Sequence, residues 1–167
     1  MTRVRALALA ALIAVAAAVL AVAAAGATSR APALRLRSTS LGRVIVDSHG
    51  RTLYMLTHDR RDKSRCYHGC SAVWPPAAAR RRARVGHGLK QRKLTVIRRR
   101  GGGRQLAFAG HPLYRYAGDS GAGEVNGEGI HSFGGVWYAL RRSGAPVTAA
   151  PAPSSPSPGY GGYSYGY

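Results

Sequence analysis

Two aspartates, Asp59 and Asp119, each follow a tyrosine by five residues, and this repeated pairing invites a catalytic or metal-binding interpretation. The tyrosines are Tyr54 and Tyr114. A carboxylate placed just after a strand more commonly accepts hydrogen bonds from backbone N–H groups in the following turn. Because the same residue recurs in both copies, we favour a structural role that each copy needs.

A second set of oxygen-bearing side chains lies in the glycine-rich stretch 118–129, and its members are Asp119, Glu124, Asn126 and Glu128. Hard cations such as Ca²⁺ prefer oxygen ligands on a flexible turn, so calcium is one hypothesis for this loop. The spacing is not that of an EF-hand, and a hairpin loop that needs positive φ angles explains the glycines without a metal. Both interpretations stand.

The other patterns do not predict an enzyme. The sequence lacks a Gly-x-Ser-x-Gly nucleophile elbow, a His-Glu-x-x-His zinc motif and a Gly-x-x-x-x-Gly-Lys phosphate loop. Tyr54, Tyr114, Trp74 and Trp137 could line a ligand groove, but aromatic residues that recur at strand spacing more commonly form a core. We therefore predict a non-enzymatic protein without an obligatory cofactor.

The elements that position these side chains come from an internal duplication. The phrase at residues 50–59 returns sixty positions later at residues 110–119, with Gly, Leu, Tyr and Asp in the same order. Each copy then continues to a tryptophan. The recurring residues are Tyr54, Leu56, Asp59 and Trp74 in the first copy and Tyr114, Tyr116, Asp119 and Trp137 in the second.

Flanking motifs add to the duplicated phrase. Cys-x-x-x-Cys and Trp-Pro-Pro follow the first copy, and Gly-Gly-Val-Trp-Tyr follows the second. With these motifs, residues 41–140 resemble the bacterial secreted-repeat lipoproteins, whose repeated motif is Tyr-x-(Phe/Trp/Tyr)-x-x-Asp and whose function is unknown. The chain departs from that pattern at Leu56, where an aromatic residue is usual, at Glu124 and Glu128, and in lacking a lipid-acceptor cysteine.

The N-terminal segment predicts export. Arg3 and Arg5 precede an uncharged run at residues 6–25, and Ala-Gly-Ala at 25–27 offers a cleavage site, so residues 1–27 read as a signal peptide. The run has about the length of a membrane span, and an uncleaved anchor is the alternative. Both predict a secreted or extracytoplasmic protein associated with the cell envelope.

Export bears on the two cysteines, Cys66 and Cys70. In an oxidising compartment they should pair with each other, and a bridge over so short a loop stabilises a protein by about 2 kcal/mol. His58 and His68 lie close in sequence, and Cu or Zn favours nitrogen and sulfur ligands. The spacing matches neither a zinc finger nor a thioredoxin motif. We predict a structural disulfide, with a metal or redox site as the alternative.

The charge balance predicts an anionic partner. The formal net charge is +19, from 25 Lys and Arg against 6 Asp and Glu, and no acid lies between Arg80 and Arg104. Such a field attracts anionic wall polymers, membrane surfaces or nucleic acid, and export argues against the last. A solvated connector is the alternative. The predicted anion-binding residues are Arg80, Arg81, Arg82, Arg84, Arg98, Arg99 and Arg100.

The strand patterns predict an all-β domain. β-branched and aromatic runs flank turn-forming residues, which indicates two related hairpin units packed as a small barrel or a two-layer sandwich, with one short helical turn near the cysteines. In the strand at 52–56, Tyr54 and Leu56 share one face and Leu53 and Met55 share the other. Because both faces are apolar, we expect this strand to be buried on two sides.

The predicted organisation places a basic arm at residues 28–40 and a two-repeat domain at 41–142. That domain divides into a first repeat at 41–76, a basic connector at 77–92 and a second repeat at 93–142. A disordered tail, rich in Pro, Ser and Ala and then in Tyr and Gly, is predicted at 143–167. We expect an exported envelope module that binds an anionic polymer or a protein partner, with an envelope metal-binding or redox protein as the alternative.

Overall fold

The computed structural model describes residues 33–80 and 82–148. The predicted leader, 1–27, lies outside these residues. The described residues form β1 (Leu34–Thr39), β2 (Gly42–Asp47), β3 (Tyr54–Leu56), helix α1 (Gly69–Val73), a 3₁₀ turn (Gln91–Lys93), β4 (Leu94–Arg98), β5 (Arg104–Phe108), β6 (His111–Pro112), β7 (His131–Ser132) and β8 (Gly135–Ala139). In these ranges no helix is long and apolar enough to cross a membrane.

The strands pair antiparallel in three small sheets, β1–β2, β3–β8–β7 and β4–β5–β6. β2 contains the run Val44-Ile45-Val46, whose β-branched side chains suit a pleated surface. The described strands do not close into a barrel, so the arrangement is sandwich-like. The prediction of an all-β fold with one short helix near the cysteines is confirmed.

The two repeats make equivalent hairpins. In the first repeat, the N–H of Leu53 donates to the carbonyl of Ile45 at 3.1 Å, and in the second the N–H of Leu113 donates to the carbonyl of Leu106 at 2.9 Å. At the centre, Tyr54 and Tyr114 exchange two backbone hydrogen bonds, of 2.8 and 2.9 Å. An approximate two-fold axis therefore passes between the repeated tyrosines.

The segment at or just after each tryptophan pairs with the other repeat. β8, from the second repeat, pairs with β3 of the first and sets Trp137 opposite Leu56. The segment after Trp74, from the first repeat, pairs with the second, because the N–H of Ala77 donates to the carbonyl of Leu113 at 2.8 Å. The repeats are thus intertwined, and neither makes its full set of strand pairs alone.

The central strands are buried on both faces. Tyr54 and Leu56 belong to one apolar cluster, which also holds both tryptophans, and Leu53 and Met55 belong to a second cluster around Phe108. The two-sided burial expected from the sequence is confirmed. Each cluster contains residues of both repeats, so core packing as well as strand pairing joins them.

The domain begins earlier than predicted. Residues 34–39, assigned to the basic arm, form β1, in which Leu34 is fully buried while Arg35 and Arg37 are exposed. The basic connector holds this strand in place, since the carbonyl of Arg84 accepts the N–H of Ala33 at 2.8 Å.

The domain also ends later than predicted. Val147, placed in the disordered tail from its composition, is buried and donates its N–H to the carbonyl of Ala139 at 2.8 Å. The last strand of the sheet is therefore covered by residues beyond the predicted boundary at 142. Residues 149–167, which carry the rest of the predicted tail, lie outside the described residues.

Candidate functional site

The repeated tyrosines and aspartates form crossed pairs. The hydroxyl of Tyr54 donates to Asp119 Oδ2 at 2.7 Å, and the hydroxyl of Tyr114 donates to Asp59 Oδ2 at 2.7 Å. Each tyrosine therefore binds the aspartate of the other repeat. Both tyrosines are fully buried, so these bonds lie in the interior and join the two copies across the approximate axis.

The second oxygen of each aspartate organises the loop that follows it. Asp59 Oδ1 accepts the N–H of Arg65 at 2.6 Å, and Asp119 Oδ1 accepts the N–H of Asn126 at 3.0 Å. Burial raises the pKa of both carboxyls. The carboxylates thus make backbone contacts of the kind the sequence suggested, together with a tyrosine contact that it did not suggest.

The tyrosine hydroxyls are held in their protonated form. Burial raises the pKa of Tyr54 well above its ordinary value, and the hydrogen bond to Asp119 raises it further. Burial and the negative charge of Asp59 do the same to Tyr114. A phenol that must donate a hydrogen bond to a buried carboxylate is poorly suited to act as a base, so we assign these pairs to the fold.

The aromatic residues that recur in the two copies build one stacked core. Trp74 and Trp137 are parallel, with ring centroids 3.9 Å apart and planes 2° apart. Tyr54 meets Trp74 edge-on at 5.5 Å, and Tyr114 meets Trp137 edge-on at 5.1 Å. These four rings are buried, which confirms the core interpretation over a ligand groove.

The two copies differ at the aromatic position of the motif. Tyr116, at that position of the second copy, is partly exposed and packs on Trp74 at 4.4 Å. Its counterpart, Leu56, is buried in the same cluster and lies opposite Trp137 in the β3–β8 pair. The symmetry of the core is therefore approximate.

Gly127 must lack a side chain because it lies against the aromatic core. A Cβ atom there would come within 2.8 Å of Tyr54 Cζ and 2.9 Å of Trp74 Cη2. We expect Gly127→Ala to lower the free energy of unfolding by about 1 to 3 kcal/mol through overpacking, as measured by urea denaturation. Gly103→Ala is the control, since its Cβ would meet no atom within 4 Å. Equal stability of the two variants would contradict this packing.

The acidic residues of the 118–129 loop accept hydrogen bonds from protein groups, and Asp119 and Glu124 share Asn126 as a donor. Glu124 accepts hydrogen bonds from the N–H and the hydroxyl of Ser120, which lowers its pKa, and Glu128 accepts the N–H of Ala139 at 2.7 Å. Among residues 33–80 and 82–148, no three His, Cys, Asp or Glu side chains lie where they could share a metal ion. The loop considered for calcium thus supplies oxygens that already accept hydrogen bonds from its own backbone and from β8.

The cysteines form the predicted disulfide. Cys66 and Cys70 are bonded, with their Cα atoms 5.2 Å apart and both residues buried beside α1. This confirms the disulfide, and the part of the chain that the structure describes contains no free cysteine. His58 and His68, considered with them as soft-metal ligands, belong to no metal-binding group within the described residues.

The predicted anion-binding arginines divide into two groups. Arg99 is structural, because its guanidinium donates to Cys66 O at 2.6 Å, to Gln105 Oε1 at 2.6 Å and to Ser64 Oγ at 2.9 Å. Arg81 lies outside the described residues. The others have exposed side chains, and they are Arg80, Arg82, Arg84, Arg98 and Arg100.

Five of the six acids, all but Asp62, accept hydrogen bonds within the fold, and few surface cations have a carboxylate partner. Within the described ranges, Arg115 is the only Lys or Arg with a carboxylate in ion-pair range, at 2.7 Å from Asp47. Burial alone would raise the pKa of Asp47, but hydrogen bonds from Arg115 and from the N–H groups of Arg51 and His49 outweigh it and lower the pKa. The cations of the described residues therefore create a positive field that few internal ion pairs neutralise.

Sequence reasoning missed a surface where three turns meet. These turns are residues 57–63 after β3, the β5–β6 tip at 109–111 and the β7–β8 tip at 133–134, and we call them the three-turn surface. The N–H of Asp62 donates to the carbonyl of Gly110 at 2.8 Å, and the N–H of Val136 donates to Thr57 Oγ1 at 2.8 Å. Asp62, Ala109 and Phe133 have φ angles of 53°, 55° and 51°. Turns with left-handed backbone often contain Gly, so Gly110 and Gly134 were the sequence signal that could have located two of these turns.

Comparison with curated proteins and with solved structures yields no match. The model of one protein family matches residues 36–78 and 95–141, and these two segments cover more than half of the chain and correspond to the two intertwined repeats. The family's description places the chain among secreted proteins. By these two matched repeats, the chain belongs to the family described as a secreted repeat of unknown function.

Proposed function

We propose that this protein is a non-enzymatic module of the cell envelope that binds an anionic polymer. The observation that carries the proposal is the different use of the two charges: five of the six carboxylates accept hydrogen bonds within the fold, whereas the arginines of the connector and the β4–β5 turn are mostly exposed. A surface of this kind concentrates polyanions, and its attraction depends on salt.

The assignment as a binding module, and not as an enzyme, is supported by the use made of the repeated polar residues. Tyr54, Asp59, Tyr114 and Asp119 are engaged with one another and with loop backbone. The side chains of the duplicated motif thus have a role in holding the fold together. The function is then expected on the surface, where the basic connector and the neighbouring β4–β5 turn present their arginines.

Retention of the protein on isolated cell wall should be salt-sensitive. Raising the salt from 0.1 to 1 M shortens the Debye length from about 10 to about 3 Å, so we expect bound protein to be released. Replacing Arg82, Arg84, Arg98 and Arg100 by Ala should weaken retention at low salt, whereas replacing the same four by Lys should preserve it. Wall stripped of anionic polymer should retain little protein.

The proposal fails if the wild-type protein binds stripped and unstripped wall equally. It also fails if the alanine and lysine variants are retained to the same extent. Because all four side chains are exposed, we expect each variant to keep its fold. Circular dichroism of each variant checks this.

A further inference from the structure

The three-turn surface contains a cationic groove that neither the sequence motif nor the basic connector explains. Residues of both repeats line it, and they are Met55, Thr57, Asp59, Arg60, Arg61, Ala109, Gly110 and His111. The side chain of Arg61 lies across Gly110, since a Cβ on that glycine would be 3.1 Å from Arg61 Nη1. Glycine at position 110 therefore lets the guanidinium cross the tip of the β5–β6 hairpin.

The polar groups of this groove suit a phosphate. Arg60 and Arg61 are exposed and provide guanidinium donors, which bind phosphate oxygens in pairs, and Thr57 and His111 add a hydroxyl and an imidazole. Asp59 is the one carboxylate among the lining residues, and its two oxygens already accept the Tyr114 hydroxyl and the Arg65 N–H. The neighbouring Asp62 is half-buried and donates its N–H to the carbonyl of Gly110 at 2.8 Å, and the two exposed arginines outnumber its carboxylate at this surface.

An exposed aromatic residue borders the same surface. Phe133 is 44% exposed at the β7–β8 tip, the largest exposure of any large apolar residue in the described part of the chain. Its φ of 51° is a conformation that glycine or asparagine adopts more readily. With this exposure and an unfavourable backbone conformation, the ring of Phe133 has surface available to a ligand.

The hairpin tip connects directly to the groove. A Cβ on Gly134 would be 3.7 Å from the ring of His58, and a Cβ on Gly135 would be 2.7 Å from Thr57 Oγ1. The tip that carries Phe133 therefore lies against the turn whose Thr57 lines the groove. His58 Nε2 also lies 3.4 Å from Arg65 Nη1, which adds a further cation at this edge.

We propose that the three-turn surface binds a glycosyl phosphate unit of the envelope polymer, with the phosphate at Arg60, Arg61 and His111 and the sugar ring against Phe133. The proposal rests on the polymer-binding function and names the chemical unit that is recognised. An aromatic face packs on the C–H face of a sugar, while the guanidinium groups neutralise the phosphate charge. General attraction comes from the whole surface, and selection of the unit comes from this site.

Titration of the full mature protein with glucose 1-phosphate, inorganic phosphate and glucose tests the site. In ¹H–¹⁵N spectra we expect glucose 1-phosphate to shift the amide signals of Thr57, Gly110, His111 and Gly134 and to bind more tightly than phosphate alone. The double variant Arg60→Ala with Arg61→Ala should weaken binding about tenfold or more, as loss of charge-assisted hydrogen bonds does. Arg35→Ala with Arg43→Ala removes the same charge from exposed positions on β1 and β2, outside the groove, and should change binding less than about twofold.

Phe133→Gly separates ligand recognition from folding. Glycine suits the left-handed backbone, so this variant should be at least as stable as the wild type. We expect it to lose the preference for glucose 1-phosphate over inorganic phosphate while still binding phosphate. An unchanged preference would overturn the assignment of the sugar to Phe133.

The outcomes distinguish this site from the general function. Equal weakening by the two double-arginine variants would overturn the local site, whereas wall retention would still test the polymer function. Binding of glucose 1-phosphate without any salt-sensitive wall retention would overturn the polymer function. Equally tight binding to phosphatidylglycerol vesicles and to the polymer would assign the surface to membrane and overturn the proposed unit.

Discussion

Replacing both motif tyrosines, by Tyr54→Phe and Tyr114→Phe, should lower the free energy of unfolding by about 4 to 6 kcal/mol, and each single change should cost about 2 to 3 kcal/mol. The ring remains and the core packing is kept. What is lost is the hydrogen bond from the phenol to Asp119 Oδ2 in the first case and to Asp59 Oδ2 in the second. A buried carboxylate that loses its donor retains its full cost of desolvation.

A double-mutant cycle in urea denaturation tests the crossing itself. Tyr54→Phe combined with Asp119→Ala should show a coupling energy of about 2 kcal/mol, because the two side chains share one bond. Tyr54→Phe combined with Asp59→Ala is the matched control, and we expect coupling near zero although these residues belong to the same repeat. A larger coupling within the repeat than between the repeats would contradict the crossed arrangement.

Sequence reasoning could reach the duplication but not the crossing. The offset between Tyr54 and Tyr114, and the aspartate that follows each of them, indicate that each copy needs one tyrosine and one aspartate. The spacing from tyrosine to aspartate is the same whether the bond forms within one copy or between two. The tertiary arrangement decides between the two possibilities. In it, each copy pairs with the segment at or after the tryptophan of the other copy.

The two ends of the domain were missed for a different reason. β1 has the period of a strand, with Leu34 and Leu36 alternating with Arg35 and Arg37, but its charge resembles that of a basic arm. At the other end, Val147 is a single apolar residue within a stretch whose composition is typical of a linker. In both places a few buried contacts override the average composition of the segment, and composition is what the prediction relied on.

The three-turn surface lay beyond the reach of any spacing rule. Its parts come from residues 57–63, 109–111 and 133–134, and they meet because segments of each repeat pair with the other repeat. This pairing places β8 beside β3, which brings the tip at 133–134 to the turn at 57–63. The duplication thus builds the core symmetrically, whereas the surface draws different turns from the two copies and is asymmetric.

The protein should lose stability steeply above pH 10, and the two buried tyrosines should account for much of the loss. In the unfolded chain their phenols ionise near the ordinary pKa of 10.0, whereas burial and the paired aspartates raise the pKa of both in the folded state. The stabilising contribution is therefore complete below pH 10. It falls as the pH rises toward the folded pKa, because the unfolded chain then releases protons that the folded chain retains.

The size of this effect follows from the number of groups. Each phenol that is ionised only in the unfolded state lowers the free energy of unfolding by about 1.4 kcal/mol per pH unit, so the pair contributes about 2.7 kcal/mol per pH unit. Urea denaturation at several pH values between 9 and about 11.5 measures the slope. Tyr54→Phe should remove about half of the contribution, and the double phenylalanine variant should remove all of it.

Tyr138→Phe is the control for the number of phenols, because it removes a tyrosine outside the crossed pairs. If the slope is the same in Tyr54→Phe as in Tyr138→Phe, the buried tyrosines do not carry the alkaline transition. If Tyr54→Phe halves the slope while Tyr138→Phe preserves it, the phenols must be protonated donors in the folded state. That result would also place the duplicated motif in folding, since a tyrosine that ionised readily could serve as a base, and one that is locked to a buried aspartate could not.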